Sequence, residues 1–325
     1  MANKIRWGVL GNAKIAREKV IPAMQLGAYS QVVAMASRDI EKAKPVCEAL
    51  GIGTLHASYE ALLADPNVDA IYNPLPNDLH VPWSVKAAAA GKHVLCEKPI
   101  GLTAAEAEDL IAARDRYGVK VGEAFMAKTH PQWLRAKEIV ASGAIGELRL
   151  MTCVFSYFNV DPTNIRNNAE MGGGALMDIG CYPVTLSRMI FGGEPISVVS
   201  SVDRDPAFGT DRLTSAILNY RQGQCVFSCS TQLNPYQRVI LYGTKGRVEI
   251  EIPFNAPPDR PTRIFVEPGG VVEEFPVCDQ YTIQGDLFSR AILDNTPVPV
   301  SIEDALGNML VIESVFRGNH GTANL

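Results

Sequence analysis

Several features that mark other classes of protein are missing from this sequence. No apolar run approaches the roughly 18 residues of a membrane-spanning helix, and Lys and Arg total 30 against 35 for Asp and Glu. The chain therefore lacks the basic excess that nucleic-acid binding requires. Its first residues also lack the long apolar core and the cleavage site of a signal peptide. We expect neither a nucleic-acid partner nor a membrane partner.

Paired cysteines are missing as well. The seven cysteines are scattered, odd in number and form no C-x-x-C pair, which argues against a disulfide framework or a zinc site. Reduced thiols are usual in the cytoplasm. We therefore expect a cytoplasmic protein without a bound metal.

What is present is the length and composition of two globular domains, with 325 residues, 47% of them apolar and 20% charged. Up to about residue 125, short apolar strands alternate with helices, and this order predicts parallel strands joined by right-handed crossovers. The predicted strands are 5–10, 32–36, 69–72, 93–96 and 119–121. The predicted helices are 13–27, 41–50, 81–90 and 103–117.

Beyond residue 125 the strands become longer and alternate with a period of two, which predicts a mainly antiparallel sheet. Strands are predicted at 147–157, 213–220, 224–232, 237–242 and 247–252. Helices are predicted at 131–141, 280–294 and 302–316. The stretch 253–276 is rich in Pro and Gly, and we expect irregular edges there. The fold class is α/β, with domains over 1–125 and 126–325.

The segment 11–16 ends the first predicted strand and opens a helix, where a dinucleotide fingerprint lies. Its form is G-x-A-x-x-A. Gly11 allows the tight turn, Ala13 lets backbone approach a pyrophosphate, and Ala16 permits close packing of helix on strand. The helix N-terminus would then face the phosphates. A plain turn without a ligand is the alternative.

The second predicted strand ends at Ser37, Arg38 and Asp39. An NAD-selective site usually places a carboxylate at the strand tip, to accept from the ribose 2′-hydroxyl. A hydroxyl and a guanidinium there suit the 2′-phosphate of NADP instead. Asp39, one residue later, keeps NAD open, and Arg38 could equally be a solvated surface charge.

Two further motifs carry chemistry. Glu97-Lys98-Pro99 follows the fourth predicted strand, and its X-Pro bond is a candidate cis peptide. Three glycines at 172–174 precede an apolar helix and let backbone approach a neighbour, for which we expect the cofactor. Asp178 and Tyr182 are spaced i, i+4 on that helix and form a candidate proton-transfer pair. The alternative is a helix-start aspartate and a tyrosine half in the core.

Together and in this order, these motifs resemble the Gfo/Idh/MocA family of oxidoreductases over nearly the whole chain. The matching segments are 8–16, 75–80, 97–99 and 172–182. Tyr182 stands where most members have histidine, a departure shared with dimeric dihydrodiol dehydrogenase and NADP-linked xylose dehydrogenases. The resemblance implies a Rossmann dinucleotide-binding domain, then a substrate-binding and oligomerisation domain with an open, mainly antiparallel sheet.

The resemblance also implies site residues. Those expected to contact the cofactor are Gly11, Asn12, Ala13, Ile15, Ser37, Arg38, Leu75, Asn77, His80, Glu97 and Lys98. Those expected to be catalytic are Lys98, Tyr182 and Asp178, and those expected to bind substrate are Arg166, Asp178 and Tyr182. His80 has an alternative role as a cap for the helix after it. Glu123 and His130 follow the fifth predicted strand, and they either border the pocket or are structural.

The implied activity is hydride transfer between nicotinamide and a hydroxyl of a cyclic sugar, polyol or dihydrodiol, with NADP preferred and NAD possible. Tyr182 would exchange the proton, with a cationic Lys98 favouring its phenolate. The alternatives are an NAD-dependent glycosidase of the same family and a non-catalytic NADP-binding regulator. Apolar side chains on both faces of the strands after 147, together with the resemblance, imply a homodimer or homotetramer.

Substitution of Arg38 tests the cofactor assignment. Arg38→Ala should weaken NADP binding by about 1.5–3 kcal/mol, as for a lost hydrogen bond to a charged group. NAD binding should hardly change. Titration of each cofactor against both proteins checks this, and equal losses for NAD and NADP would remove the assignment.

Overall fold

A computed structural model describes residues 4–318, which form two compact units. The first unit contains residues 4–129 and 279–306, and the second contains 130–278 and 307–318. The division expected at residue 125 does not include the return of 279–306 to the first unit. Among the described residues, no helix is long and apolar enough to cross a membrane.

The helices largely follow the predicted segments. They are Ile21–Gln25 (α1), Ile40–Leu50 (α2), Tyr59–Leu63 (α3), His80–Ala89 (α4), Ala104–Tyr117 (α5), Pro131–Ala141 (α6), Cys181–Phe191 (α7), Gln280–Leu293 (α8) and Ile302–Arg317 (α9). Two π-helical turns, Ala16–Val20 and Leu176–Gly180, lead directly into α1 and α7. The helix predicted over 13–27 therefore begins with an irregular turn.

Local sequence explains the best-predicted helix, α5. The Thr103 hydroxyl accepts from the Glu106 backbone N–H at 3.2 Å. Gly118 ends the helix with φ 63°, the left-handed conformation that glycine adopts at low cost. An N-cap, an acidic first turn and a C-terminal glycine agree here.

The first unit is built on a six-stranded parallel sheet in the order β3-β2-β1-β4-β5-β6. Its strands are Ile5–Leu10 (β1), Ser30–Ala36 (β2), Thr54–His56 (β3), Ala70–Asn73 (β4), His93–Glu97 (β5) and Val121–Ala124 (β6). The parallel arrangement is confirmed. The three-residue edge strand β3 was not predicted, because it is short and carries no apolar run.

The last strand of this sheet was predicted at 119–121, and that placement is wrong. β6 is Val121–Ala124, and the sequence pattern did not indicate it because Gly122 and Glu123 interrupt the apolar run. Its backbone lies against the returning segment, with the Glu123 N–H donating to the Val300 carbonyl at 3.2 Å. A Cβ on Gly122 would lie 2.8 Å from that same carbonyl, so the glycine permits the approach.

The second unit contains an eight-stranded sheet in the order β14-β13-β12-β11-β7-β10-β9-β8. Its strands are Leu148–Phe158 (β7), Ser197–Arg204 (β8), Asp211–Asn219 (β9), Gln224–Ser230 (β10), Gln232–Gly243 (β11), Arg247–Ile250 (β12), Thr262–Glu267 (β13) and Val271–Phe275 (β14). Every pairing is antiparallel except that of β7 with β10. The mainly antiparallel sheet is confirmed.

Two expectations for this sheet are wrong. The segment 253–276 is not irregular throughout, since it contains β13 and β14. None of the prolines of this segment, at 253, 257, 258, 261, 268 and 276, lies within either strand, so the residues of β13 and β14 can pair. β8 was also missed, because exposed Ser, Asp and Arg interrupt its alternation.

The two faces of the second sheet differ in burial. Cys225, Phe227 and Cys229 on β10 are buried. On the opposite face, Val226 and Val199 are 37% and 46% exposed. One face therefore supplies the core of the unit, and the other is open in a single chain.

Ser289 links the returning segment to the first sheet. The Trp7 indole N–H donates to the Ser289 hydroxyl at 3.0 Å, and both residues are fully buried. Ser289→Ala should lower the free energy of unfolding by about 1–3 kcal/mol, since the indole N–H stays buried without a partner. Ser314→Ala on the surface of α9 is the matched control. Denaturant unfolding that gives equal stabilities for the two variants would contradict this role.

Candidate active site

The carboxyl ends of β2, β1, β4 and β5 lie side by side, since these strands are parallel neighbours. This edge is where ligands bind in open parallel sheets. Gly11 follows β1 with φ 78°, and a Cβ there would lie 3.0 Å from the Leu75 side chain. Gly11 therefore brings the turn close to the loop after β4.

The turn after β1 fits a dinucleotide. Helix begins within three residues of Gly11, so backbone N–H groups face this edge. The Oδ1 atom of Asn12 is buried with no hydrogen-bond partner among residues 4–318, and it can accept from a ligand hydroxyl. Ala13 and Ile15 lie in the same turn and pack partly buried against the core.

The turn after β2 is shaped by its own side chains. The Ser37 hydroxyl donates to the Asp39 carbonyl at 3.0 Å and accepts from the Asp39 N–H at 3.1 Å. The Asp39 carboxylate accepts from the Lys42 N–H at 3.1 Å, so it caps α2, and it pairs with the Lys42 ammonium at 2.9 Å. These contacts lower the pKa of Asp39. Arg38 is exposed between the two.

Asn73, which was not predicted, holds the loop after β4. Its buried Nδ2 donates to the His80 carbonyl at 2.9 Å and to the Ser84 hydroxyl at 3.1 Å. Its Oδ1 accepts from the Leu75 N–H at 3.3 Å. The loop that carries Leu75 and Asn77 is thereby fixed to the start of α4. A polar residue directly before a proline at the end of an apolar strand was the available signal.

The turn after β5 contains the cis bond predicted between Lys98 and Pro99, which is confirmed. The Tyr72 hydroxyl donates to Glu97 Oε1 at 2.7 Å, and the Lys98 backbone N–H donates to Oε2 at 3.3 Å. The His80 Nδ1–H donates to the Pro99 carbonyl at 2.8 Å. Buried side chains therefore orient the turn that presents Lys98.

Burial also perturbs His80. It is 1% exposed, and burial lowers its pKa to about 4, with the charge of Lys98 contributing. The imidazole is therefore neutral near pH 7. Its side chain supports the Glu97–Pro99 turn and does not cap α4, whose N-cap residue is Leu79.

In the second unit, Asp178 lies in the π-helical turn before α7 and is bound by two side chains. Its Oδ2 accepts from the Tyr157 hydroxyl at 2.6 Å and from Arg166 Nε at 2.7 Å. The sequence predicted Arg166 and missed Tyr157. Tyr157 is the penultimate residue of β7, and only the folded sheet brings it to Asp178.

Charge and burial reinforce this cluster. Burial, followed by the charge of Asp178, raises the pKa of Tyr157 far above its usual range, so the phenol stays protonated. The charge of Asp178 raises the pKa of Arg166 despite its burial, and Tyr182 contributes in the same direction. Asp178 is therefore a carboxylate hydrogen-bonded between a donor phenol and a guanidinium.

Tyr182 lies one turn further along the helix and is 5% exposed. Its ring is edge-on to Phe155 at 5.6 Å and tilted against Phe254 at 5.2 Å. These aromatic neighbours fix the position of the ring.

Glu123 and His130 have structural positions. Glu123 lies within β6 rather than after a strand and is 1% exposed. His130 caps α6, since its Nδ1 accepts from the Gln132 N–H at 3.2 Å. Burial lowers the pKa of His130 to about 4. Of the remaining predicted residues, all eleven expected at the cofactor lie in the first unit, and the three expected at the substrate lie in the second.

Two family models match the chain. Residues 5–125 match the model described as the oxidoreductase family, NAD-binding Rossmann fold. Residues 133–249 match the model described as the GFO/IDH/MocA C-terminal domain.

Individual proteins are similar over nearly the full length. An uncharacterized oxidoreductase of Rhizobium meliloti is 44% identical, with 96% of each chain covered. A D-xylose 1-dehydrogenase (NADP+) of Haloferax volcanii is 37% identical, also with 96% of each covered. The crystal structure of a 3-ketoreductase from Actinomadura kijaniata in complex with NADP and TDP-benzene has a TM-score of 0.88 at 32% identity, covering 97% of this chain and 98% of that one.

The buried His80 predicts a pH dependence of stability. Its folded-state pKa of about 4 lies below the ordinary 6.5. The contribution is therefore fully present above about pH 6.5 and is lost as the pH falls towards 4. His80→Gln should consequently lose less Tm than the wild type between pH 6.5 and 4.5, whatever its offset at pH 7.5. Parallel Tm curves for the two proteins would show that His80 does not titrate in this way.

Proposed function

Because the chain belongs to the Gfo/Idh/MocA oxidoreductase family, we propose that it is an NADP-linked dehydrogenase acting on a hydroxyl of a cyclic aldose or of a dihydrodiol. The chain is an oxidoreductase with an NAD(P)-binding Rossmann domain. The observation that carries the finer proposal is the cluster of Asp178, Arg166 and Tyr157 beside Tyr182. A fixed carboxylate and a phenol on one helix suit a substrate with neighbouring hydroxyls.

The turn after β2 supports NADP over NAD. The Asp39 carboxylate is engaged by the α2 backbone and by Lys42, so it is already used as a cap. Arg38 projects beside it with no side-chain partner among the described residues. An exposed guanidinium at this position suits a 2′-phosphate.

When bound, the nicotinamide supplies the hydride chemistry. The residues of the chain supply placement and proton transfer. Asp178 would accept from one substrate hydroxyl, while Tyr182 takes the proton from the hydroxyl being oxidised. Lys98, presented by the Glu97–Pro99 turn, would donate to the reacting oxygen and favour the phenolate of Tyr182 by its charge.

The relatives and the cluster around Asp178 support the proposed substrate class. The similar proteins include a D-xylose dehydrogenase, and the chain resembles dihydrodiol dehydrogenase at Tyr182. The test is a screen of pentoses, hexoses, inositols and trans-diols with NADP and with NAD, measuring formation of the reduced cofactor. Net release of NADPH with an aldose or a diol supports the proposal. Hydrolysis of a glycoside without net release would favour the glycosidase alternative.

We also propose a cytoplasmic homodimer or homotetramer that assembles through the open face of the second sheet. Val199, Ile217, Val226, Thr152 and Ile240 are successive cross-strand neighbours on that face. When two copies pack through this face, the interface should bury more than roughly 1,200 Å² in total. Sedimentation at micromolar concentration tests the assembly, and a monomer would contradict it.

All cysteines are free, which agrees with a reducing compartment such as the cytoplasm.

Removal of the phenolic hydroxyl tests proton transfer. Tyr182→Phe keeps the ring between Phe155 and Phe254, and kcat should fall by about 10²–10⁴-fold, the usual contribution of a general acid–base. Lys98→Met should also lower kcat strongly and raise the pH needed for residual activity. Steady-state kinetics and NADP titration check both, and NADP affinity should hardly change in Tyr182→Phe.

The double variant is the control for joint action. If Tyr182 and Lys98 act as a unit, it should be little slower than either single variant. If Tyr182→Phe keeps most of its turnover while Lys98→Met is inactive, Lys98 is the acid–base group and Tyr182 only lines the pocket.

A further inference from the structure

Asp211 is a buried carboxylate that takes no part in the proposed chemistry. It contacts the start of the helix that carries Asp178 and Tyr182. Asp211 is the first residue of β9 and is 1% exposed. Its Oδ2 accepts from the backbone N–H of Leu176 at 2.8 Å and from the Thr214 hydroxyl at 2.7 Å. Leu176 opens the π-helical turn that contains Asp178. Asp211 therefore holds the first amide of the turn from a neighbouring strand.

The glycine run before this helix is shaped around Asp211 and Arg166. Gly174 has φ 114°, and a Cβ there would collide with Asp211 Oδ1. A Cβ on Gly173 would lie 2.5 Å from the Arg166 carbonyl, and the Gly174 N–H donates to that carbonyl at 2.8 Å. Within the second unit, the close approach that we expected towards a cofactor is thus an approach to the chain itself.

This arrangement is costly for the fold. Burial raises the pKa of Asp211 to about 6, even though Thr214, Leu176 and the charge of Arg204 oppose that shift. Burial raises the pKa of Tyr157 on β7 and of Cys229 on β10, and the charge of Asp211 adds to both shifts. Asp211 Oδ1 also has no hydrogen-bond partner among the described residues. Stability alone would favour a neutral residue here, whereas strain of this kind is common where it serves function.

We propose that Asp211 is a positioning residue for the reaction: it anchors the start of the helix and so places Asp178 and Tyr182 against Arg166 and Tyr157. The kinetic part of this inference rests on the proposed dehydrogenase function. Asp211 touches neither substrate nor cofactor in this role. It acts through the Leu176 amide and the glycine run.

The test compares Asp211→Ala, which removes the acceptor, with Asp211→Asn, which retains an oxygen for the Leu176 amide. A small displacement of reacting groups can cost about 10²-fold, so we expect kcat to fall about 10–100-fold in Asp211→Ala and to stay within about threefold in Asp211→Asn. The Kd for NADP should be unchanged in both. Asp205→Ala is the matched control, since Asp205 is a buried carboxylate that closes a turn at Ala207 and Phe208. It should lose stability without losing kcat.

Hydrogen exchange of the peptide covering 174–180 gives a readout that does not need turnover. Exchange should accelerate in Asp211→Ala and not in Asp211→Asn or Asp205→Ala. Wild-type protein that turns over no substrate defeats the proposed function, and the exchange result then decides whether Asp211 holds the helix. If Asp211→Ala does not fold, Asp211→Ser replaces it, since a serine hydroxyl is too short to reach the Leu176 amide.

Three results would overturn the inference. The first is unchanged kcat in the variant that lacks the acceptor. The second is an equal loss of kcat in Asp211→Asn, which would mean that the oxygen retained for Leu176 does not matter. The third is unchanged exchange over 174–180 in the variant that lacks the acceptor.

Discussion

The ion pair between Asp178 and Arg166 is the interaction on which the proposed substrate site of the second unit depends. The two side chains meet at 2.7 Å, and the Asp178 side chain is only 14% exposed. Removing Arg166 would therefore leave a poorly solvated carboxylate without its countercharge. The pair also joins a loop to a helix, because Arg166 precedes the glycine run and Asp178 follows it. A change in the conformation of the loop would therefore also move the carboxylate.

In the first unit, the corresponding constraint is parallel strand pairing. It brings the ends of β2, β1, β4 and β5 to one edge, whatever the loops contain. Hydrogen bonds from buried side chains then fix the loops. Asn73 holds the segment after β4, and Tyr72 and His80 hold the turn that contains Lys98. The predicted ligand-facing residues lie on this support. Their own hydrogen bonds, such as those of Ser37 with Asp39, set the local turn shape.

The sequence predicted features that depend on neighbours along the chain. The helix over 103–117 and the parallel arrangement of the first strands both follow from local patterns of this kind. It missed features that depend on register between distant strands. Tyr157 reaches Asp178, and Asp211 reaches Leu176, only because the second sheet brings β7 and β9 beside the helix. Asn73 could have been suspected from its place before a proline, but its partners on α4 could not.

The proposed activity requires that hydrogen pass directly from a substrate carbon to the cofactor, and isotope labelling measures this transfer. The measurement is a mass analysis of the NADPH formed from D-xylose, and from the best aldose of the screen, each deuterated at the anomeric carbon. Direct transfer predicts one deuterium in each reduced cofactor molecule, with none acquired from deuterated water. Reduced cofactor without the label, or label that returns to a hydrolysed sugar with no net NADPH, would contradict it.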